Sequence, residues 1–344
     1  ATSDGNGGQD TFENIENLIG GIQGDTLTGS NLGNRLEGRE GNDVLKGGLG
    51  DDVLIGGDDV GTTDRADYDD ALDDVIVNLI TNSASGANGN DTLTGIEDIR
   101  GGNHDDTLTG DGVANTIEGL DGADTIRGEG GADTLFGGDQ NDTIFGGDGA
   151  DTISGQNNDD TISGGEGGDN LDGGTGFDTL DYSDYNNNLT VDLNLTQVNA
   201  GTGDVDTISA FEAAITGSGN DNLTGTTGIN TLIGNAGTDT ITGGSGNDTL
   251  EGGADNDTFI EGAGSDTIDG GSEVDTVNYS NLGQSVQATL VLGGDGTAVS
   301  GVDTDILRNI ENIIGTNSGD TLTGNAVVNE LTGGLGDDTL TGGA

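Results

Sequence analysis

The chain has 344 residues and a formal net charge of −57, because 64 residues are aspartate or glutamate and only 7 are lysine or arginine. Nucleic-acid binding and attraction to an anionic membrane both depend on basic side chains, and no apolar run approaches the roughly 20 residues of a membrane span, so both partners are excluded. With 29% apolar residues, 71 glycines and no cysteine, the chain has neither a conventional core nor disulfides, which leaves a bound cation as the natural source of stability.

The first block, residues 1–59, introduces a repeated unit of nine residues. The phrase Ile15–Gly20 (IENLIG) leads into units that run from Gly20 to Ile55. Each unit follows the template Gly-Gly-x-Gly-x-Asp-x-aliphatic-x. The sixth residues of this block are Asp25, Asn34, Asp43 and Asp52.

The first insert, residues 60–100, has a different periodicity. Apolar and polar residues alternate along Tyr68–Ile80, and a period of two predicts β-strands. One further unit, Gly86–Thr94, carries Asp91, and the phrase Ile96–Gly101 (IEDIRG) closes the insert. We expect the insert to form a wider coil that continues the same structure, with Tyr68 covering its interior.

The central block, residues 101–181, repeats the unit without interruption. Three consecutive copies are Gly128–Phe136 (GEGGADTLF), Gly137–Phe145 (GGDQNDTIF) and Gly146–Ser154 (GGDGADTIS). The sixth residue is aspartate in every copy except the one with Asn115. The acidic positions are Asp106, Asp124, Asp133, Asp142, Asp151, Asp160, Asp169 and Asp178.

Two further inserts and two further blocks repeat this order. The inserts, residues 182–215 and 279–314, contain alternating stretches that begin at Tyr182 and Tyr279, and we read them as wider coils too. The sixth residues are Asp221, Asn230, Asp239, Asp248, Asp257, Asp266 and Asp275 in the block 216–278, and Asp320, Asn329 and Asp338 in the block 315–344.

The two parts of the nine-residue unit together predict an all-β fold. Threonine, isoleucine, leucine and valine favour a short strand whose middle side chain points to one face, and the glycines permit a tight turn. Two units make one coil of 18 residues, so aliphatic side chains from opposite strands meet inside. We therefore predict a parallel β-roll, a β-solenoid with 18-residue coils, interrupted by the wider β-coils of the inserts.

The 18-residue coil stacks the acidic turns above one another. Coils repeat at about 4.8 Å, so stacked aspartates repel each other while backbone carbonyls crowd the same space. Calcium binds about six to eight carboxylate and carbonyl oxygens, whereas magnesium requires a tighter octahedron, so we predict a ladder of calcium ions along each edge. The twenty aspartates at the sixth positions are the predicted ligands. The asparagines there offer a neutral oxygen, and we expect their sites to be weaker or vacant.

These repeats closely resemble the RTX family of hemolysin-type calcium-binding repeats over most of the chain. The resemblance implies a parallel β-roll, type I export from a Gram-negative or cyanobacterial cell, and folding outside the cell or at its surface. Extracellular calcium modules have dissociation constants of about 10⁻⁴–10⁻³ M. Calcium binding outside the cell would therefore supply the free energy of folding.

Three functions remain open from the sequence. The first is an extracellular structural protein of a surface layer, fibre or adhesin, which would self-associate or contact the cell surface or matrix. The second is the calcium-folding tail of an exported enzyme or toxin; the chain itself is not expected to be an enzyme, because its single histidine, His104, occupies a turn position. The third, an ice-binding module, is disfavoured because the residues before the strands are too mixed to form a regular array.

Overall fold

The computed structural model describes residues 15–57, 61–86, 88–201 and 204–343. Within these residues it contains 37 β-strands and no helix, as the predicted all-β class requires. No helix long and apolar enough to span a membrane occurs in this part of the chain. The strands belong to two compact units, residues 1–178 and residues 179–344. Residues 1–14 of the first predicted block lie outside the described residues.

The strands of the first unit are β1 (Asn17–Ile19), β2 (Thr26–Thr28), β3 (Arg35–Glu37), β4 (Val44–Lys46), β5 (Val53–Ile55), β6 (Arg65–Asp67), β7 (Val75–Asn78), β8 (Ser83–Gly86), β9 (Gly89–Thr94), β10 (Asp98–Arg100), β11 (Thr107–Thr109), β12 (Thr116–Asp121), β13 (Thr125–Gly131), β14 (Thr134–Asp139), β15 (Thr143–Gly149), β16 (Thr152–Asn157), β17 (Thr161–Glu166) and β18 (Asn170–Thr175).

The strands of the second unit are β19 (Thr179–Asp181), β20 (Thr190–Asp192), β21 (Gln197–Asn199), β22 (Val205–Ser209), β23 (Ala213–Ile215), β24 (Asn222–Thr224), β25 (Thr231–Ala236), β26 (Thr240–Thr242), β27 (Thr249–Ala254), β28 (Thr258–Ile260), β29 (Thr267–Gly271), β30 (Thr276–Asn278), β31 (Val286–Thr289), β32 (Gly296–Ser300), β33 (Asp303–Arg308), β34 (Asn312–Ile314), β35 (Thr321–Thr323), β36 (Leu331–Thr332) and β37 (Thr339–Thr341).

The first unit consists of two sheets. One has the strand order β1-β3-β5-β9-β8-β7-β11-β13-β15-β17. The other has the order β2-β4-β6-β10-β12-β14-β16-β18. Every pairing is parallel except those of β8. Ile126 pairs with Ile144, which confirms the predicted offset of 18 residues between neighbouring coils.

The second unit repeats this architecture. Its sheets have the orders β19-β23-β25-β27-β29-β33-β32-β31-β35-β37 and β22-β21-β20-β24-β26-β28-β30-β34-β36. The antiparallel pairings are those of β32 and β21. Each unit is therefore a parallel solenoid, interrupted by one antiparallel strand in the first unit and by two in the second.

The interior of each coil is a thin aliphatic stack. Ile117 and Leu135 from one sheet and Ile126 and Ile144 from the other are all 0% exposed. Each fully buried side chain of this size contributes about 1.5–3 kcal/mol. The tyrosines that begin the alternating stretches of the three inserts are also buried, as predicted, with Tyr68 at 3%, Tyr182 at 1% and Tyr279 at 0% exposure.

The inserts differ from the wider coils that we expected. In the first insert β7 lies beside β11 of the next block, β9 lies beside β5 of the preceding block, and β8 runs antiparallel between them. The chain therefore forms the strand next to the following block first, then turns back through β8, and last forms β9 next to the preceding block. A period of two identifies strands but does not give their direction, which depends on pairing between distant segments.

Candidate functional site

Two rows of stacked aspartates follow the turns of the first unit. The backbone N–H of Asp124 donates to Oδ1 of Asp142, and that of Asp142 donates to Oδ1 of Asp160, both at 2.8 Å. On the other edge the N–H of Asp133 donates to Oδ1 of Asp151, also at 2.8 Å. One carboxylate oxygen of each aspartate thus holds the backbone of the preceding coil.

The second unit has the same rows. The N–H of Asp221 donates to Oδ1 of Asp239 at 2.7 Å, and that of Asp239 donates to Oδ1 of Asp257 at 2.8 Å. Of the twenty predicted ligands, nineteen are buried, with exposures of 5% or less, and Asp338 is half-buried. The stacking predicted from the period is therefore present at both edges.

The second carboxylate oxygen is the unusual feature of these turns. At eleven predicted positions Oδ2 is buried and has no hydrogen-bond partner among the described residues. The positions are Asp52, Asp124, Asp133, Asp142, Asp151, Asp160, Asp221, Asp239, Asp248, Asp257 and Asp275. An unpaired buried charge is strongly unfavourable. This regular series of carboxylate oxygens therefore requires either protons or a cation.

The first glycine of the unit shows which other oxygens lie near Oδ2. A methyl group at Gly119 would collide with Oδ2 of Asp124 and with the carbonyl oxygen of Gly137 in the next coil. Gly155 has the same surroundings, formed by Asp160 and Gly173. Only glycine leaves this space open. The atoms that converge here are all oxygens, from carboxylates and backbone carbonyls. Calcium binds oxygen ligands of these two kinds.

The pKa values of the stacked aspartates show how unfavourable the rows are without a cation. Burial raises the pKa of Asp142 to about 8; the hydrogen bond from Asp124 N–H opposes this, and the neighbouring carboxylates raise it further. Asp239 behaves alike, with a pKa of about 8, and the pKa values of Asp124 and Asp160 rise to about 7. At neutral pH the rows therefore favour any ligand that brings positive charge.

Three predicted ligands differ because a backbone N–H already fills Oδ2. Asp25, Asp106 and Asp320 accept hydrogen bonds there from the residue four positions earlier. The donors are Gly21, Gly102 and Thr316, at 2.5, 2.6 and 2.6 Å. These aspartates begin blocks, and their turns offer a cation less free carboxylate than the turns of the regular units.

The backbone conformation four residues before the aspartate distinguishes the two kinds of turn. Gly138 before Asp142 has a φ of 135°, and Leu120 before Asp124 has a φ of 90°. Ten of the eleven positions with an unpaired Oδ2 follow such a left-handed residue, and Asp221 is the exception. The nine-residue template does not contain this signal, because Leu120 stands where glycine is expected.

The asparagines at the sixth position share one hydrogen bond, which explains why asparagine rather than aspartate occurs there. Each donates Nδ2 to the backbone carbonyl of a glutamate 18 residues earlier. The pairs are Asn34–Glu16, Asn115–Glu97, Asn230–Glu212 and Asn329–Glu311, at 3.4, 2.7, 2.8 and 2.8 Å. A carboxylate cannot donate to a carbonyl, so these positions need an amide.

The inserts continue the rows with acids that the template did not identify. The N–H of Asp43 donates to Oδ1 of Asp64 at 2.8 Å, and the N–H of Asp64 donates to Oε2 of Glu97 at 2.9 Å. Similarly the N–H of Asp275 donates to Oε2 of Glu311 at 3.0 Å. The recurring Ile-Glu phrases contain these glutamates, and that repetition was the signal available in the sequence.

Each insert also pairs its buried tyrosine with an aspartate. The hydroxyl groups of Tyr68, Tyr182 and Tyr279 donate to Oδ2 of Asp91, Asp206 and Asp305, at 3.1, 2.5 and 3.1 Å. Asp91, a predicted ligand, also accepts the N–H of Asp52 at 2.9 Å through Oδ1. In the inserts a tyrosine hydroxyl thus donates to the carboxylate oxygen that is left unpaired in the regular turns.

Comparison with known protein families agrees with this geometry. The model of the RTX calcium-binding nonapeptide repeat matches residues 28–62, 98–117, 109–144, 145–180, 215–250, 242–277 and 313–344, more than half of the chain. No curated protein matches significantly. Among solved structures, the extracellular lipase LipA from Serratia marcescens matches with 19% identity and a TM-score of 0.19; the match covers 58% of this chain and 38% of the lipase chain.

Proposed function

Because the chain belongs to the RTX calcium-binding nonapeptide repeat family, we propose that it is a calcium-folded structural region of an extracellular protein, in a surface layer, a fibre or an adhesin. The observation that carries the proposal is the set of buried Oδ2 atoms with no hydrogen-bond partner among the described residues. Calcium bound there would supply the opposite charge and use the carbonyl oxygens of the same turns.

The residues proposed to hold calcium are the aspartates whose Oδ2 atoms are unpaired, together with the turn carbonyls beside the first glycines. The chain's own part is to fix these oxygens in place. Hydrogen bonds to Oδ1 orient each carboxylate, and left-handed residues shape ten of the eleven turns. Since the calcium-free rows repel, the fold would form where calcium is abundant, outside the cell.

A structural role is supported by what the repeated unit contributes. Most units of nine residues supply one buried aliphatic side chain, one row aspartate and the glycines of a turn, and the inserts contribute to the same sheets. In this role the solenoid would associate with other copies of itself, or would contact a cell surface or matrix. Export from a Gram-negative-type cell belongs to the same proposal.

Circular dichroism tests the calcium-dependent fold. The β-sheet spectrum should form in millimolar calcium, be lost in excess chelator, and not be restored by magnesium at the same concentration, because magnesium demands a tighter octahedron. A spectrum that chelator leaves unchanged would contradict the mechanism.

Sedimentation and electron microscopy test the structural role separately. Ordered filaments or lattices should form in calcium and dissolve in chelator. A chain that folds in calcium but stays monomeric at every concentration would refute self-association while leaving calcium-dependent folding intact. A catalytic domain in the same reading frame would instead favour the tail of an exported enzyme or toxin.

A further inference from the structure

Glu261 departs from the nine-residue template at a position where the neighbouring units have glycine. Its unit runs EGAGSDTID, and the two units before it begin with Gly243 and Gly252. A methyl group on either glycine would collide with Oδ2 of the aspartate five residues later, Asp248 or Asp257. Glu261 therefore places a whole side chain in a space that the regular turn keeps for oxygen atoms.

The Glu261 carboxylate meets two others in the interior of the second unit. Carboxylate oxygens of Glu261, Asp266 and Asp305 all lie within 4.8 Å of one another. The three residues are 3%, 4% and 3% exposed. Tyr279, which is fully buried, donates its hydroxyl to Oδ2 of Asp305 at 3.1 Å.

The backbone fixes this cluster in place. Asp266 accepts the N–H of Asp248 through Oδ1 at 2.8 Å, and Asp305 accepts the N–H of Asp266 through Oδ1 at 3.1 Å. Neither aspartate can swing away from Glu261 without breaking a hydrogen bond between neighbouring coils. The three carboxylates are therefore held together by the fold rather than by attraction for one another.

A second observation points to a ligand. Oε1 of Glu261 is buried and has no hydrogen-bond partner among the described residues. The Glu261 carboxyl group also lies beside those of Asp266 and Asp305, both of which are buried. Three buried carboxylates that lie this close repel one another when they are charged. Either retained protons or one bound cation must relieve this repulsion at neutral pH.

We propose that Glu261, Asp266 and Asp305 bind one calcium ion through three carboxylates, at a site separate from the regular turns and tighter than them. A regular turn surrounds its first glycine with one aspartate oxygen and backbone carbonyls, whereas three acids converge here. Calcium affinity rises with the number of charged ligands and the rigidity of the site. The inference rests on the proposed function, because the site exists only in the folded solenoid.

The position of the site gives the ion a specific role. Glu261 follows β28, Asp266 precedes β29, and Asp305 lies in β33, which pairs with β29. One ion would therefore join the third insert to the block before it, across 39 residues of chain. Its binding would stabilise the antiparallel pairing of β33 with β32 in that insert.

Calcium stoichiometry tests the site in the whole chain. By equilibrium dialysis at saturating calcium, Glu261→Gln should bind one ion fewer than the wild type. Glu261→Gly, which restores the regular turn, should keep a weaker site in place of the tight one. Both variants should keep the circular dichroism spectrum of the wild type. In a terbium titration followed by tyrosine-sensitised emission, the midpoint of the tightest phase should rise by about tenfold. Glu251→Gln, which neutralises an exposed glutamate in β27 of the same compact part of the chain, should change neither quantity.

An unchanged ion count and tightest phase in both Glu261 variants would overturn the proposal and show that the carboxyl groups share protons instead. Loss of the folded spectrum by Glu261→Gly in saturating calcium would also contradict it, because glycine is what the neighbouring turns have at this position. A wild-type chain that binds no calcium would contradict the proposed function itself. The wild-type titration alone shows that outcome, so it is distinguished from a failure of the Glu261 site.

Discussion

Replacing Asp142 with asparagine is expected to change the stability of the solenoid in opposite directions with and without calcium. Asp142 is 2% exposed, Oδ1 accepts the N–H of Asp124, and Oδ2 has no partner among the described residues. An asparagine amide there can donate to a turn carbonyl, as Asn115 donates to Glu97. The substitution thus preserves the shape of the turn and removes one buried charge.

The size of the effect follows from the pKa of Asp142, which burial raises to about 8. The unfolded value is about 3.9, and one pKa unit corresponds to about 1.4 kcal/mol, so at pH 7 the shift would lower calcium-free stability by about 4 kcal/mol. Solvent screening reduces this to about 2 kcal/mol, which Asp142→Asn should recover. In calcium the variant loses one anionic ligand, and a tenfold to hundredfold weaker site costs about 1.4–2.8 kcal/mol.

Urea denaturation followed by circular dichroism measures both effects. One series is run in saturating calcium, and the other in excess chelator with an excluded osmolyte that brings the calcium-free fold into the measurable range. The control is Asp148→Asn, which makes the same charge change at an exposed residue and should shift either series by less than about 0.5 kcal/mol. If Asp142→Asn lowers the free energy of unfolding in both solutions, Oδ2 is not a repelled, cation-binding oxygen.

Three more outcomes follow from the same turns. In excess chelator the β-sheet signal should grow as the pH falls from about 8, the pKa of Asp142 and Asp239 in the fold, toward the unfolded value of about 4. Groups with raised pKa values stabilise the fold when they are protonated, and they lose that contribution as the pH rises. Unfolding on acidification would contradict this prediction. Leu120→Gly should raise the free energy of unfolding in calcium by about 1 kcal/mol, since it removes a left-handed leucine, and a lower urea midpoint would refute the strain. Asn115→Asp should lower stability in chelator by about 1–3 kcal/mol, because it sets a carboxylate against the carbonyl of Glu97; an unchanged midpoint would show that the amide contact contributes nothing.

The sequence period was enough to predict the coil because the same 18 residues fix the core and the turns together. Ile126 and Ile144 pair at that offset, and so do the row partners Asp124 and Asp142. A register shifted by one residue would expose the aliphatic side chains and bury their polar neighbours. The all-β class, the strand offset and the two acid rows could therefore be derived from spacing alone.

Two parts of the structure could not be derived in this way. The reversed strand β8 lies between β7 and β9 through pairings that join distant segments, which alternation along one strand does not encode. The difference between Asp124 and Asp106 depends on the φ angle four residues earlier, where Leu120 is left-handed and Gly102 is not. Residue type alone would have suggested the opposite assignment, since glycine is the usual left-handed residue.

The one-way hydrogen bonds of the rows give any stack of coils a direction. Because each N–H reaches the Oδ1 of the following coil, an uncovered edge offers carboxylate acceptors on its amino-terminal side and amide donors on its carboxyl-terminal side. Two like edges present acceptor to acceptor or donor to donor along the rows and cannot form these hydrogen bonds. Copies of such a chain that continue the rows would add head to tail, so a polymer built in this way would be polar, with chemically distinct growing ends.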